Sequence, residues 1–474
     1  MIYRTEKDFA PESIERASNT LYDAIIIGGG TSGLVSALTL IEQGKKVALF
    51  EAGGFSLFTH ISNTELRFQR EVLDSVRSSF QYTQRLNDGS NFGPNFSCLG
   101  GRGLFWNGAS PRFQPHDFND WPITYEELIP YYEWAEMQFR VSHEYGNSEL
   151  ARKTIATLRN KLKLNAVPAP FALSDNKMYN GMLPSGIASG LSIFLRNNSS
   201  KERKELIDVF TNSFVSSINF SSSNKADGVN VIVNKKQKCL FRARVVIIAC
   251  GGIESIKLLL NSGVQDPYNR IGKGIQEHIF YRTFWDGTKF FNEGKKDAAT
   301  LFIPSLTQDT EQIEIHAPGR YLFATDSEQI WKPNNSELYD VMIRSFAATE
   351  KVENNYFESG HPELGNSLIR FSYSSRDVET MKQMKSKVIS IGDALEMKLN
   401  EERFASKGGS YHESGGLDMG NDIKSSVTDK FGRIHTTDNV YVIDASVFTK
   451  IGATNPHLTL AALSRKQTLN ISKI

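Results

Sequence analysis

Tyr22–Gly54 reads YDAIIIGGGTSGLVSALTLIEQGKKVALFEAGG, and the order of its parts decides the fold. A short, largely apolar run from Asp23 to Ile27 matches a parallel strand buried on both faces, and it stops at consecutive glycines. Gly28, Gly30 and Gly33 fit G-x-G-x-x-G, and Leu34, Leu38 and Ile41 recur behind them at helical spacing. Gly44, Lys45 and Lys46 suit a helix C-terminus. A second apolar run, Val47 to Phe50, then leads to Glu51, about 20 residues past the glycines. Together these parts make a complete βαβ unit. Gly28 permits the tight turn, Gly30 lets a pyrophosphate approach the backbone, and Gly33 lets helix and strand pack closely. Glu51 can accept from a ribose hydroxyl. The unit predicts a bound dinucleotide, and by itself it leaves NAD and FAD both open.

The chain has 474 residues, more than one growing core accommodates, so at least two structural units are expected. With 54 basic against 53 acidic residues, charge offers no general reason to expect nucleic acid or an anionic membrane surface as partner. Cys98, Cys239 and Cys250 are too scattered for a metal site and too few for a disulfide framework, which suits inert thiols in a reducing compartment. Neither a secretory h-region nor an 18-residue apolar run occurs, so the expectation is a cytoplasmic protein without membrane insertion.

A helix is expected over Glu65 to Val76. Leu99 to Phe113, LGGRGLFWNGASPRF, is a glycine-rich loop suited to close backbone approach to a flat or anionic group. Thr124 and Glu127 form a capping-box pattern, and Pro130 is expected to divide the helix that follows. A second helix is expected over Glu149 to Lys163, then a loop-like stretch from Ala166 to Ser189. Leu206 to Val209, Phe214 to Phe220 and Val229 to Val233 read as strands, the last two as a hairpin. Ala243 to Gly263 repeats buried strand, glycine turn and helix. Between Ile279 and Leu399, alternation in IEIHAPGRYLF, DVMIRSFAAT and LIRFSYSS predicts antiparallel strands with a half-solvated face, then a helix from Asp377 to Leu399. Val440 to Ile443 is again a buried strand, ending at Asp444, and Leu458 to Leu463 begins a terminal helix.

Several of these stretches, in this order, resemble the glucose-methanol-choline (GMC) oxidoreductases, flavoenzymes that oxidise alcohols. GGGTSG with Glu51 and Ala52 is similar to the family's FAD motif, and LGGRGLFWNGASPR to its flavin-proximal loop. WPITYEELIPYY, ACGGIESIKLLLNSG, IGKGIQEHI, HESGGLDMG and VYVIDASVFTKIGATNPHLTLAAL resemble later stretches. The resemblance implies an α/β fold: a doubly wound, Rossmann-like FAD domain (1–115, 200–278 and 410–474) and an α+β substrate domain with an antiparallel sheet (116–199 and 279–409). It implies FAD contacts at Gly28, Gly30, Thr31, Ser32, Gly33, Glu51 and Ala52, and at Val215, Asp444 and Ala445. Gly101, Asn107 and Gly108 fall in the proximal loop, and Pro456 and His457 beside the flavin. Where some relatives attach FAD through a histidine this chain has Phe105, so the flavin is expected to be non-covalent.

The catalytic pair carried over is His412 and Asn455. Neutral imidazole can take the hydroxyl proton, an amide can donate to the developing alkoxide, and flavin N5 accepts the hydride. Gly416, Leu417 and Asp418 depart from the family pattern after His412. His457 lies two residues past Asn455, and the Asn455-Pro456 register assigns it to the flavin rather than to the chemistry. His278 reads as part of a structural turn, and His60, His116, His143, His361 and His435 as loop residues without ligand spacing. His316 alternates with Ile313 and Ile315 and reads as a substrate-domain strand residue with a pocket role left open, and no metal site is visible. The expected activity is oxidation of a hydroxyl of a sugar-like or polyol substrate, as in the branch acting on a primary alcohol of aminoglycoside precursors. The electron acceptor is left open. The competing readings are an oxygen-using oxidase that makes peroxide and an FAD-binding redox protein without turnover.

Overall fold

The strand Leu21–Ile27 lies inside a seven-stranded sheet. It pairs in parallel with Val47–Phe50 on one side and Gln237–Ile248 on the other; Val47–Phe50 pairs in parallel with Ile207–Phe210, and Val246–Ile248 with Val440–Val442. The computed structural model describes residues 10–473 except 12, 65–83, 88–89, 91, 93–95, 144–147, 174–177, 180–182, 185, 235, 292–298, 318–339 and 360–365. The expected helix over Glu65 to Val76 and His361 lie outside the described residues. Strands from three distant parts of the chain thus end side by side, at Gly28, Glu51, Ala249 and Asp444, and ligands of open α/β sheets bind beyond such C-terminal ends. The hairpin Ser213–Phe220 with Ala226–Val233 extends the sheet in antiparallel fashion.

The helix Thr31–Glu42 is buried from Thr31 through Ile41, because it packs between the sheet and the terminal helix His457–Ile471. That double burial explains an apolar pattern running nearly all round it. Gly28 has φ +104°, and a Cβ on Gly33 would meet the Gly28 carbonyl at 1.9 Å, so turn and helix both depend on missing side chains.

A second sheet has six strands in the order Lys398–Phe404, His278–Asp286, Asp340–Ala348, Gln312–Ala317, Ala299–Ile303 and Val167–Pro168, with antiparallel neighbours. Ile279, Tyr281, Ile313, Ile315 and Ile343 form one face, packed with Leu158, Met384, Val388 and Ile391 of the helices Glu149–Leu162 and Ser375–Ala394. The alternation was expected to leave the other face half-solvated. Instead Gln312, Glu314 and His316 are all buried. Their hydrogen bonds to one another and to Asn455 replace those to water.

Three local expectations are corrected. Pro130 does not divide its helix, which runs unbroken over Tyr125–Phe139. The proline stands in the second turn, where its missing N–H costs only the bond to Glu126. The helix from Asp377 stops at Ala394 rather than Leu399, because Glu396 takes a left-handed φ of +52° and the chain turns into the strand Lys398–Phe404. The loop-like stretch from Ala166 contains two short strands, Val167–Pro168, paired with Ala299–Ile303, and Phe171–Ala172, paired with Val141–Ser142.

Candidate active site

The two sheets meet across a cavity of about 690 Å³. At its nucleotide end the lining includes Gly28, Gly30, Thr31, Ser32, Glu51, Ala52 and Val215. Gly101 and Asn107 of the glycine-rich loop line it too, as do Asp444 and Ala445. His412, Asn455, Pro456 and His457 share the same cavity, the last within reach of Thr31. Two expected contacts lie behind this surface. Gly33 packs on Gly28, and Gly108 faces Ile187 and Phe171.

The nucleotide end fits FAD on its own geometry. A Cβ on Gly30 would meet nothing within 4 Å, which leaves the helix N-terminus open to an anion. The Ser32 hydroxyl beside it is buried and has no hydrogen-bond partner among the described residues. The Glu51 carboxylate accepts from the backbone N–H of Gly29 at 2.9 Å and of Gly53 at 2.8 Å, which fixes its direction. Burial pushes its pKa up to about 7 against those donors. Asp444 accepts from Gly251 N at 3.0 Å and from the Ser255 hydroxyl, so the second glycine turn is tied to the C-terminal strand.

The described histidines in and around the cavity separate by environment. His278 was expected in a structural turn, but it opens the strand His278–Asp286 and its Nδ1 lies 2.8 Å from His412 Nδ1. Its Nε2 lies 2.9 Å from the Gly452 carbonyl, which can only accept. Neutral His278 therefore carries its proton on Nε2 and accepts at Nδ1, and His412 must donate from Nδ1–H. The remaining lone pair of His412 is on Nε2. Burial pushes His278 down to about 4. Burial likewise holds His412 well below the ordinary histidine range, helped by the like charge that His278 would add once it too is protonated and by the charges of Arg344 and Arg102.

Asn455 is oriented from behind as well. Gln312 Nε2 donates to its Oδ1 at 2.5 Å, leaving the amide hydrogens of Asn455 as donors. Gln312 also reaches Glu314, which accepts from His316 Nε2 at 3.1 Å and lies 3.5 Å from Arg344. Burial alone would raise the Glu314 pKa. Arg344 and the hydrogen bonds from His316 and Asn455 overcome that and hold it below the usual value.

Arg102, from the glycine-rich loop, donates to the Tyr411 carbonyl at 2.9 Å and to Glu413 Oε2 at 2.8 Å, and so grips both neighbours of His412. Glu277 accepts from Gly408 N and, at 3.0 Å, from Ser410 Oγ, which steadies the loop before it. His457 is held differently. Its ring stacks on Trp106 at 3.9 Å, its Nε2 is 3.3 Å from Thr31 Oγ1, and burial pushes it down to about 3. His60 is buried rather than a polar-loop residue, its Nε2 2.6 Å from the Trp106 carbonyl. His278, Gln312, Glu314, Arg344, Arg102 and Glu277 were not anticipated as site residues. Only the alternation of polar side chains at Gln312, Glu314 and His316 was a usable signal.

The fold and cavity define a dinucleotide-binding α/β flavoprotein whose cavity is also lined by His412 and His457. Models of the GMC oxidoreductase family match residues 22–280 and 359–464. The chain is 25% identical to 6'''-hydroxyparomomycin C oxidase of Streptomyces lividus, covering 94% of this chain and 90% of that one. It is 24% identical to paromamine 6'-oxidase of Streptomyces fradiae, with the same coverages. Among solved structures, pyridoxine 4-oxidase from Mesorbium loti superposes with a TM-score of 0.68 at 16% identity, covering 95% of this chain and 99% of that one. Formate oxidase from Aspergillus oryzae superposes with a TM-score of 0.70 at 13% identity, covering 96% and 98%. The chain belongs to the GMC oxidoreductase family. It is an FAD-dependent oxidoreductase acting on CH–OH groups. No helix among the described residues is long and apolar enough to cross a membrane.

Proposed function

We propose that this chain oxidises a hydroxyl of a sugar-like or polyol substrate to the carbonyl, with His412 as base and Asn455 as hydrogen-bond donor. One observation carries the reading: a single cavity joins the glycine turn at Gly30 to both His412 and Asn455. His412 Nε2, left as a lone pair by the hydrogen bond to His278, takes the hydroxyl proton. Asn455, its carbonyl held by Gln312, donates to the oxygen as negative charge develops there. FAD, when bound, supplies the two-electron acceptor for the carbon-bound hydrogen. The seven-stranded sheet (within 1–115, 200–278 and 410–474) holds FAD, and the six-stranded sheet, which apart from His278 lies within 116–199 and 279–409, covers the substrate. The sugar-like class follows the two aminoglycoside oxidases, together with fructose dehydrogenase large subunit from Gluconobacter japonicus, 21% identical over 93% of this chain. FAD is held without a covalent bond, and the three free thiols suit the cytoplasm.

Anaerobic mixing with a panel of polyols and sugars, followed by flavin absorbance, tests this reading. His412→Ala should slow reduction by about 10²–10⁴ with FAD retained. His457→Ala should slow it less, because that ring is committed to Trp106 and Thr31. A larger loss in His457→Ala would move the base to His457.

A further inference from the structure

We infer that Arg102 is a positioning residue for the base, through which the glycine turn that receives FAD sets the direction of His412; this rests on the alcohol-oxidation reading above. Tyr411, the residue before His412, has φ +60°. Among the described residues, seven other than glycine have a positive φ. Arg140, Lys163 and Glu396 stand at helix C-terminal ends, and Asn212, Asn234 and Asn269 are asparagines, which tolerate the left-handed region. Tyr411 is neither. Glycine would enter that conformation freely and a bulky aromatic residue does not, so the turn before His412 has to be held by its surroundings.

Packing of its own side chain does not do this, since Tyr411 is 42% exposed and meets the Phe96 ring only edge-on, at 6.3 Å between centroids. The hold is on the backbone. One terminal nitrogen of Arg102 donates to the Tyr411 carbonyl at 2.9 Å and to Glu413 Oε2 at 2.8 Å, and the other donates to Glu413 Oε1. The Tyr411 carbonyl and the His412 N–H belong to one planar peptide unit. That N–H donates to Ser410 Oγ at 3.2 Å, and Ser410 donates in turn to Glu277 at 3.0 Å. The plane from which the His412 side chain springs is thus fixed at its oxygen by Arg102 and at its nitrogen by Ser410. The Glu413 side chain that receives the arginine fork is only 6% exposed, so water competes little for the contact.

The backbone of Arg102 is anchored at the nucleotide turn. Arg102 lies in the short helical turn Gly101–Leu104, between two glycines. A Cβ on Gly101 would stand 3.2 Å from Gly30 Cα, and one on Gly103 would stand 2.6 Å from Thr31 Oγ1, so this turn packs directly on the start of the helix Thr31–Glu42. Gly100 N donates to the Gly29 carbonyl at 2.8 Å beside it. A line of contacts therefore runs from the turn 29–31 through Gly101 and Gly103 to Arg102, and from Arg102 to both neighbours of His412. Without the arginine the base keeps its hydrogen bonds to His278 and Ser410, but its peptide plane is released from the turn that receives the cofactor. Misplacing a reacting group by about 1 Å can cost about 10² in rate.

The test uses the FAD-loaded protein with isotope-labelled histidine, the His412 imidazole signal in NMR being identified by its loss in His412→Gln. Titration of that signal is read beside anaerobic flavin reduction by glucose, glucosamine, inositol and glycerol. Arg102→Met should slow reduction by about 10²-fold at saturating alcohol, with kcat falling more than KM changes and with FAD retained. Burial holds His412 below its ordinary range, and Arg344, Arg102 and, once protonated, His278 and His457 act in the same direction. The same variant should therefore raise the proton affinity of His412 by at least about tenfold. Arg102→Lys keeps the charge without the fork and should stay at least about tenfold slow. Glu413→Gln should slow reduction as well, and add little to Arg102→Met in the double variant, as for two groups acting through one contact; it reports on that contact even if Arg102→Met does not fold. A parental rate and titration in Arg102→Met overturn the inference, as does a parental rate in Arg102→Lys, which would leave only the charge. Loss of FAD from both arginine variants overturns it too, since Arg102 would then serve the cofactor. If none of the four alcohols reduces the parent flavin, the oxidation reading falls, and the His412 titration alone decides the role of Arg102: raised in Arg102→Met it stands, unmoved it fails.

Discussion

His278 Nδ1 lies 2.8 Å from His412 Nδ1, and the same imidazole reaches the carbonyl of Gly452, three residues before Asn455. One ring thus connects the segments that carry the two candidate catalytic groups and selects the tautomer of one of them. His278→Ala should slow anaerobic flavin reduction by roughly 10²-fold, the lower end of the range for losing a general base. The pH profile distinguishes this from a packing defect. A base works above its pKa, and His412 is held well below the ordinary range, so in the parent the rate is lost only as pH falls well under about 6.5. Removing the His278 contribution should move that acid limb upward. A parental rate with an unmoved limb would exclude the role.

Asn455→Ala should reduce flavin about 10²–10³ more slowly while keeping FAD, as for loss of one oriented donor to a developing oxyanion. Asn455→Asp should be at least as damaging, because it presents an acceptor both to that oxygen and to buried Glu314. Parental reduction rates in both variants would remove Asn455 from the chemistry.

Acid precipitation should release all FAD into the supernatant. The cavity lining carries Phe105 where some relatives bear the linking histidine, and phenylalanine has no atom able to form that bond. Flavin retained in the pellet would contradict this.

Glu277 gives a pH effect on stability with a definite sign. Burial raises its folded-state pKa to about 8, whereas an unfolded glutamate titrates near about 4.3. Between those values the folded state binds the extra proton, so the contribution of Glu277 is fully present at low pH and is lost as pH rises toward about 8. Glu277→Gln stays neutral in both states and lacks this slope. The melting temperature of the parent minus that of Glu277→Gln should therefore fall between pH 5 and 8 and level off above, as read by thermal unfolding at several pH values. A difference that grows with pH would refute the assignment.

The nucleotide unit was legible from sequence because its determinants are local. Strand, turn and helix between Tyr22 and Glu51 follow from apolar period and glycine placement within a few residues of each other, and the structure keeps that order. Alternation at Ile313 and Ile315 likewise announced a strand, and the motif resemblance singled out His412 and Asn455. Alternation could not tell whether the polar face of that strand met water or protein. Nor does Pro130 or Glu396 announce its effect on a helix, since position in the turn and φ decide it.

Only the tertiary structure decided which polar groups meet. His278 and His412 are 134 residues apart, Gln312 and Asn455 143, and Arg102 and Glu413 311. Nothing within a local window distinguishes these residues from other histidines, glutamines and arginines. Their pairing follows from sheet register, as when Arg282 is set between Arg344 and Arg403, and from packing the two sheets around one cavity. The strand ladders fix that register through backbone hydrogen bonds and the burial of alternate apolar side chains, so the arrangement of the candidate site is written in contacts between distant strands.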